Sequence, residues 1–262
     1  MRPIRTVRRV VAIVVASVLP FPAAIAAPAC MAASGPLATP LVELYTSEGC
    51  DSCPPADRWM AAQFPAATAP GTPIALAFHV DYWDRLGWVD RFASPAFTER
   101  QYEGVRVRKD AFAYTPQLLL QGRDFAAWRR DNARAAIDAA GKAPARANVE
   151  LTAAVDNGSV RASARAHVAD AALARAAVVT IAYADSGHVS DVKAGENRGV
   201  RLTHDHVVRA LASGRTGALD ASATFAQPAE LGAAATVVAF VQSAATGEVL
   251  QAVALPLADC KP

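Results

Sequence analysis

Two cysteines with two residues between them, Cys50-Asp51-Ser52-Cys53, carry the strongest chemical signal in the chain. A thiol must ionise before it attacks a disulfide, and free N–H groups at the positive end of a helix lower its pKa. A spacing of two lets the second sulfur reach the first and resolve a mixed disulfide. Zinc sites use the same spacing, so the pair by itself leaves metal binding open. Asp51 places a negative charge beside Cys50, opposes the dipole and predicts a moderate oxidant at most. Two further cysteines, Cys30 and Cys260, lie near the chain ends and could staple them together.

The elements around the pair are legible from pattern. Pro40–Thr46 reads as a strand entering a turn at Ser47-Glu48-Gly49, and Cys53–Ala62 as a helix with Pro54 and Pro55 in its tolerant first turn. Pro73–Val80 is a nearly continuous apolar run, the mark of a buried strand. Ser94-Pro95 with Glu99 opens a helix to about Val107, Gln117–Gln121 is a strand stopped by Gly122, and Asp131–Ala140 is a helix stopped by Gly141. Strands alternating with helices over residues 37–143 predict a three-layer α/β unit. Beyond Pro144, alternating segments at Val149–Val155, Val160–His167, Ala177–Ala184, Val200–Val208, Thr236–Gln242 and Val249–Leu255 predict a smaller all-β, sandwich-like domain over 147–262.

Composition bounds the function classes. The 262 residues carry 26 Lys+Arg against 24 Asp+Glu, and that balance gives no support to nucleic-acid binding. No phosphate loop, dinucleotide fingerprint or hydrolase elbow is present, so no soluble cofactor is implied. Residues 1–27 read as a signal peptide: Arg2, Arg5, Arg8 and Arg9, then apolar Val10–Leu19, then small residues to Ala27. About ten strongly apolar residues are too few to span a bilayer, which needs roughly 20. After cleavage no membrane span is expected, and the short basic leader predicts a bacterial periplasmic or secreted address. There, thiols oxidise unless they are catalytic or metal-bound.

Thr115-Pro116 followed by the apolar Gln117–Leu120 resembles the thioredoxin superfamily, in which a cis-proline opening a strand faces the cysteine pair. The longer runs Glu-Leu-Tyr-Thr-Ser-Glu-Gly-Cys-Asp-Ser-Cys-Pro-Pro-Ala-Asp, Phe-His-Val-Asp-Tyr-Trp-Asp-Arg-Leu-Gly-Trp, Tyr-Thr-Pro-Gln and Gly-Glu-Asn-Arg-Gly resemble a secreted, thioredoxin-like domain-of-unknown-function family over the mature chain. The resemblance implies thiol–disulfide exchange on protein or small-molecule disulfides, with an unknown redox partner. Cys50 would be the exposed attacking thiol and Cys53 the resolving one. The Thr115-Pro116 edge would receive a peptide like an added strand.

Other residues are candidates beside that core. Glu43, on the strand before the pair, could relay protons to Cys53, or could simply point to water. Tyr82, Trp83 and Trp88 could line a substrate groove or pack the loop. His79 could ligate copper or zinc together with Cys50 and Cys53, or be a buried histidine satisfied by Asp81 or Asp84. His204 and His206 would share one face of a strand. Arg85, Arg91 and Arg100 read as surface charges, and Gly195–Gly199 as a glycine-bounded turn that could dock on the first domain. Two alternatives to an exchanger remain: a metallochaperone, and a binding protein whose cysteines form a structural bridge.

Overall fold

The computed structural model describes residues 30–65, 71–156, 158–214, 219–227 and 233–260, so the leader expected over residues 1–27 lies outside the described residues. The first half supplies β1 (Cys30–Ala33), β2 (Leu41–Thr46), α1 (Pro54–Gln63), β3 (Ile74–His79), α2 (Pro95–Arg108), β4 (Gln117–Leu120), β5 (Arg123–Asp124) and α3 (Ala133–Ala140). The second supplies β6 (Asn148–Asp156), β7 (Ser159–His167), α4 (Ala171–Ala176), β8 (Ala177–Ser186), β9 (His188–Asp191) and β10 (Arg201–His204). It ends with β11 (Val207–Gly214), β12 (Asp220–Ala226), β13 (Ala233–Ser243) and β14 (Val249–Pro256). The architecture is mixed α/β, mostly sheet with few helices.

β2 and β3 bury all their side chains, as continuous apolar strands do when both faces are covered. They pair in parallel from Leu41↔Ile74 to Thr46↔His79, and β4 runs antiparallel on the other side of β2. The outer edge of β3 is met by β11 at Val207↔Ala77, reinforced by the Ala77 amide donating to the His206 carbonyl at 2.8 Å. That contact joins the halves into one eight-stranded sheet, β14-β13-β8-β11-β3-β2-β4-β5. The texture change near residue 144 marks a change of strand direction and layering, and the sheet itself runs across it.

Side-chain alternation assigns the faces. Val42, Leu44, Ala75 and Leu118 pack beneath α1 and α3, against Met60 and Ile137. Leu41, Tyr45, Phe78 and Leu119 point the other way, toward Phe97 of α2. Further along the sheet, Val179, Ile181, Tyr183 and Val237 pack on Leu151, Val160 and Phe225 of a separate four-stranded sheet, β1-β6-β7-β12. The sandwich expected of the second half is therefore real as packing, with one of its layers continuous with the first half's sheet.

α2 begins as its sequence predicts: Ser94 Oγ accepts from the Ala96 amide at 3.3 Å, and Pro95 occupies the first helical position. The run Val200–Val208 departs from expectation. It breaks into β10 and β11 at Asp205-His206, where His206 takes φ 58° and the Asp205 carboxylate accepts from the Gly187 amide at 2.9 Å. The break lets the chain leave the β9–β10 hairpin and cross to β3. His204 and His206 consequently do not share a strand face.

Cys30 and Cys260 form a disulfide across 230 residues, with Cα atoms 5.3 Å apart. Nearby, buried Gln251 accepts from the Thr39 amide at 2.8 Å and donates to the carbonyls of Gly35 at 3.1 Å and Leu37 at 3.0 Å. Together they hold the segment before β2 on the last strand. Replacing both Cys30 and Cys260 by Ser should lower unfolding free energy by roughly 2–5 kcal/mol in denaturant titration, with the Cys50–Cys53 bond unaffected in peptide mapping.

Candidate functional site

Cys50 and Cys53 form a second disulfide, Cα atoms 5.5 Å apart, at the junction of the β2 turn and α1. Both residues are 0% exposed, where the sequence reading expects an accessible Cys50. The Thr115–Pro116 peptide is cis. Thr115 Oγ1 donates to Cys50 Sγ at 3.4 Å, and Ser52 Oγ lies 3.4 Å from the same sulfur. The Trp83 indole donates to Thr115 Oγ1 at 2.8 Å. A Cβ on residue 49 would meet Trp83 Cβ at 3.1 Å, so glycine there lets the turn sit against Trp83.

The helix end supplies fewer donors than its dipole implies. Pro54 and Pro55 have no N–H. The Cys53 amide donates back to the Cys50 carbonyl, and the Ala56 and Asp57 amides donate to Cys53 O. The neighbours of the Cys50 sulfur are therefore hydroxyls.

The turn is gripped from the far half of the chain. Asn197, 5% exposed, donates its two amide protons to the carbonyls of Glu48 at 2.9 Å and Cys50 at 2.8 Å. Its neighbour Glu196 accepts from the Asp51 amide at 3.2 Å. The Gly195–Gly199 turn thus docks on the cysteine turn, which its sequence only hinted.

Beneath the turn lies a buried charge network. Glu48 takes the Trp88 indole at 2.6 Å and faces His204 at 3.2 Å. His79 Nδ1 pairs with Asp90 at 2.7 Å, and that carboxylate also accepts from the Glu48 amide at 2.9 Å. The partner of His79 is thus Asp90, neither Asp81 nor Asp84. Burial disfavours the His79 cation, yet the charges of Asp90, Asp57 and Glu48 outweigh it and raise its pKa above the ordinary 6.5. Burial likewise pushes Asp90 up, and the facing His79 wins and lowers it. Phe92 fills the space between the rings of His79, His188 and His204, with centroids 5.3, 4.9 and 5.4 Å away.

Asp57 is an acid on the helix of the cysteine pair that the motif alone does not single out. Asp57 lies one helical turn after Cys53 and so on the same helix face, with Thr46 Oγ1 donating to it at 3.1 Å. Desolvation raises its pKa above the ordinary carboxylate value. Its signal was available: an acid four residues after a cysteine on a helix. Glu43 falls on the opposite face with Tyr45. It is ion-paired with Arg100 at 2.5 Å, in a cleft between α2 and the sheet. One residue of register in β2 decides this, because alternate side chains leave opposite faces. Arg100 is correspondingly no surface charge: it lies between Phe78 and Phe240, 5.4 and 5.1 Å from their ring centres.

Tyr82 donates to Gln101 at 3.3 Å and stacks on Tyr102, forming with Trp83 a half-buried aromatic ledge. Trp88 is instead committed to Glu48. Among the described residues no three His, Cys, Asp or Glu side chains are grouped as a metal site requires, so the set Cys50, Cys53 and His79 gains no geometric support.

A sheet-rich mixed α/β protein with a buried Cys50–Cys53 disulfide beside a cis-proline is the class these features define. The chain belongs to the family described as "Protein of unknown function (DUF1223)", whose pattern matches residues 41–242. A crystal structure of a protein from Agrobacterium tumefaciens is similar in fold, with TM-score 0.59 and 24% identity, covering 85% of this chain and 96% of that one. HBP35 of Porphyromonas gingivalis is similar with TM-score 0.61 and 14% identity, over 87% of this chain and 78% of that one. No curated protein matches the chain.

The His79–Asp90 pair makes a pH prediction. A raised histidine pKa stabilises the fold fully below its ordinary 6.5, and that stabilisation fades as pH climbs through the higher folded value. The lowered Asp90 contributes above its ordinary 3.8 and is lost as pH falls through the lower folded value. Asp90→Asn should therefore cost about 3–5 kcal/mol near pH 6. Denaturation midpoints should show the gap to the native protein narrowing at alkaline and at strongly acid pH.

Proposed function

We propose that this protein is an exported thiol–disulfide exchanger whose Cys50 and Cys53 cycle between disulfide and dithiol on a thioredoxin-like core. The observation that carries the reading is the Thr115 hydroxyl on Cys50 Sγ beside the cis Thr115–Pro116 bond. It sets a hydrogen-bond donor and the entry to β4 against the Cys50 sulfur. The leader-like residues 1–27 and the Cys30–Cys260 bridge support an oxidising, periplasmic or secreted setting.

The exchange balances without a cofactor. In the reducing direction the Cys50 thiolate attacks one sulfur of a substrate disulfide, and the departing substrate thiolate takes a proton. Cys53 then gives up its proton, attacks Cys50 Sγ and releases the second substrate thiol. Two electrons pass from the cysteine pair to the substrate, and a dithiol reductant must return them. The oxidising direction is the same path reversed. Asp57, one helical turn after Cys53, is assigned as the carboxylate that receives the Cys53 proton: desolvation raises its pKa, which makes the ionised carboxylate a stronger base. Tyr82 and Trp83 offer an apolar ledge beside Thr115 for a substrate chain.

The full burial of both sulfurs favours a second reading, a structural bridge. Reduction separates the two. An exchanger is reduced and reoxidised reversibly in a glutathione buffer, and Cys53→Ser accumulates mixed disulfides on Cys50. A structural bridge resists mild reductant and traps nothing. For the exchanger, Asp57→Asn should slow resolution of a preformed mixed disulfide about tenfold or more. Glu43→Gln should leave that rate unchanged in stopped-flow measurement, since Glu43 faces the other side of the sheet.

A further inference from the structure

We propose that the Gly195–Gly199 turn of the C-terminal half governs the reactivity of Cys50, with Asn197 positioning the cysteine turn and Glu196 opposing ionisation of the thiol. The proposal deepens the reading of Cys50 as the reacting sulfur, although its main readout, the ionisation of one cysteine, needs no turnover.

Three backbone groups of the cysteine turn are held by two adjacent residues 145 to 149 positions away. Asn197 donates to the Glu48 and Cys50 carbonyls, and Glu196 accepts the Asp51 N–H. Asn197 has two amide protons and both are used, so its orientation is fixed by the turn it holds. The Asp51 amide is the donor next in sequence to Cys50. In a turn of this kind such N–H groups are what stabilise a thiolate. Here the N–H is committed to a carboxylate, and a negative charge is brought to the turn.

Most other titratable groups around the turn face partners of their own. On its own turn Glu48 faces His204 of β10 at 3.2 Å, and below it Asp90 faces His79 of β3 at 2.7 Å. On α1, the Asp57 carboxylate accepts from Thr46 Oγ1 at 3.1 Å, and desolvation raises its pKa. From the loop after β3, Arg85 lies over the Trp83 ring at 6.0 Å, and Arg198 is exposed beyond Asn197. That leaves Asp51 and Glu196, both exposed, as the acids next to Cys50, and neither is in an ion pair among the described residues. Each disfavours the thiolate. Because a stabilised thiolate stabilises the reduced protein, both acids also make the disulfide harder to reduce.

The test uses the full mature chain with Cys53→Ser, which leaves Cys50 as the free thiol, and follows alkylation by iodoacetamide, a neutral probe, against pH. Glu196→Gln keeps an oxygen acceptor for the Asp51 amide and removes the charge. It should raise the Cys50 acid dissociation constant about two- to threefold, the size of one carboxylate acting through solvent-facing space. Glu196→Asp, which restores the charge, should return the profile toward the parent. Asn197→Ala should instead raise the limiting alkylation rate at alkaline pH several-fold, by loosening the turn without a comparable shift in midpoint. With both cysteines present, Glu196→Gln should move the glutathione equilibrium toward the dithiol by the same two- to threefold, roughly 9–14 mV.

Superimposable alkylation profiles for the parent and Glu196→Gln overturn the assignment to Glu196, and an unchanged limiting rate in Asn197→Ala overturns that to Asn197. If the cysteine pair never re-forms in glutathione, the exchange reading fails, while the alkylation profiles still decide this proposal.

Discussion

A turn that buries two sulfurs completely must find a partner for every peptide group it takes out of water. In this protein three of those partners lie on the other half of the chain. The carbonyls of Glu48 and Cys50 are satisfied by Asn197 and the Glu48 amide by Asp90, while the Asp51 amide goes to Glu196. The cysteine turn therefore cannot adopt its native form until the β9–β10 hairpin is in place. The hairpin, in turn, is placed by the strands that follow it into the shared sheet. The meeting of β11 with β3 is thus a condition for the site as well as for the fold.

Electrostatics follow the same arrangement. Beneath the turn, histidines from both halves meet acids from the first: His79 with Asp90, and His204 with Glu48. Packing Phe92 among three histidine rings excludes water from the group, which strengthens each pairing and makes each charge costly to strand. Asp57 sits beside this group, its pKa raised by desolvation. The interior groups face one another in pairs, while Asp51 and Glu196 stand at the exposed rim.

The site was partly legible. Cys50, Cys53, Thr115 and Pro116 could be read from motif and spacing, and they do come together. Glu43 and Asp57 show where reading stops. Both are acids near the pair in sequence, and choosing between them needs the register of β2, since one step along a strand reverses the face. Arg100 looked like surface charge because long basic side chains usually are. Its burial depends on Glu43 emerging from the sheet beneath it. The break at Asp205-His206 was hidden because the apolar pattern continues through it, and only the departure of β11 toward β3 requires the turn.

By itself the sequence determined the local elements of the first half. Apolar runs, proline positions and the Ser94 cap act over a few residues and leave a pattern there. It also determined the chemistry on offer, two sulfurs at a helix start and a Thr-Pro strand entry. Tertiary structure alone decided which face of the sheet Glu43 and Asp57 occupy, that Cys50 is covered, and that one sheet unites both halves. Each of those depends on contacts between residues far apart in the chain, and strand pairing and buried polar partnership carry no local signature of whom they will meet.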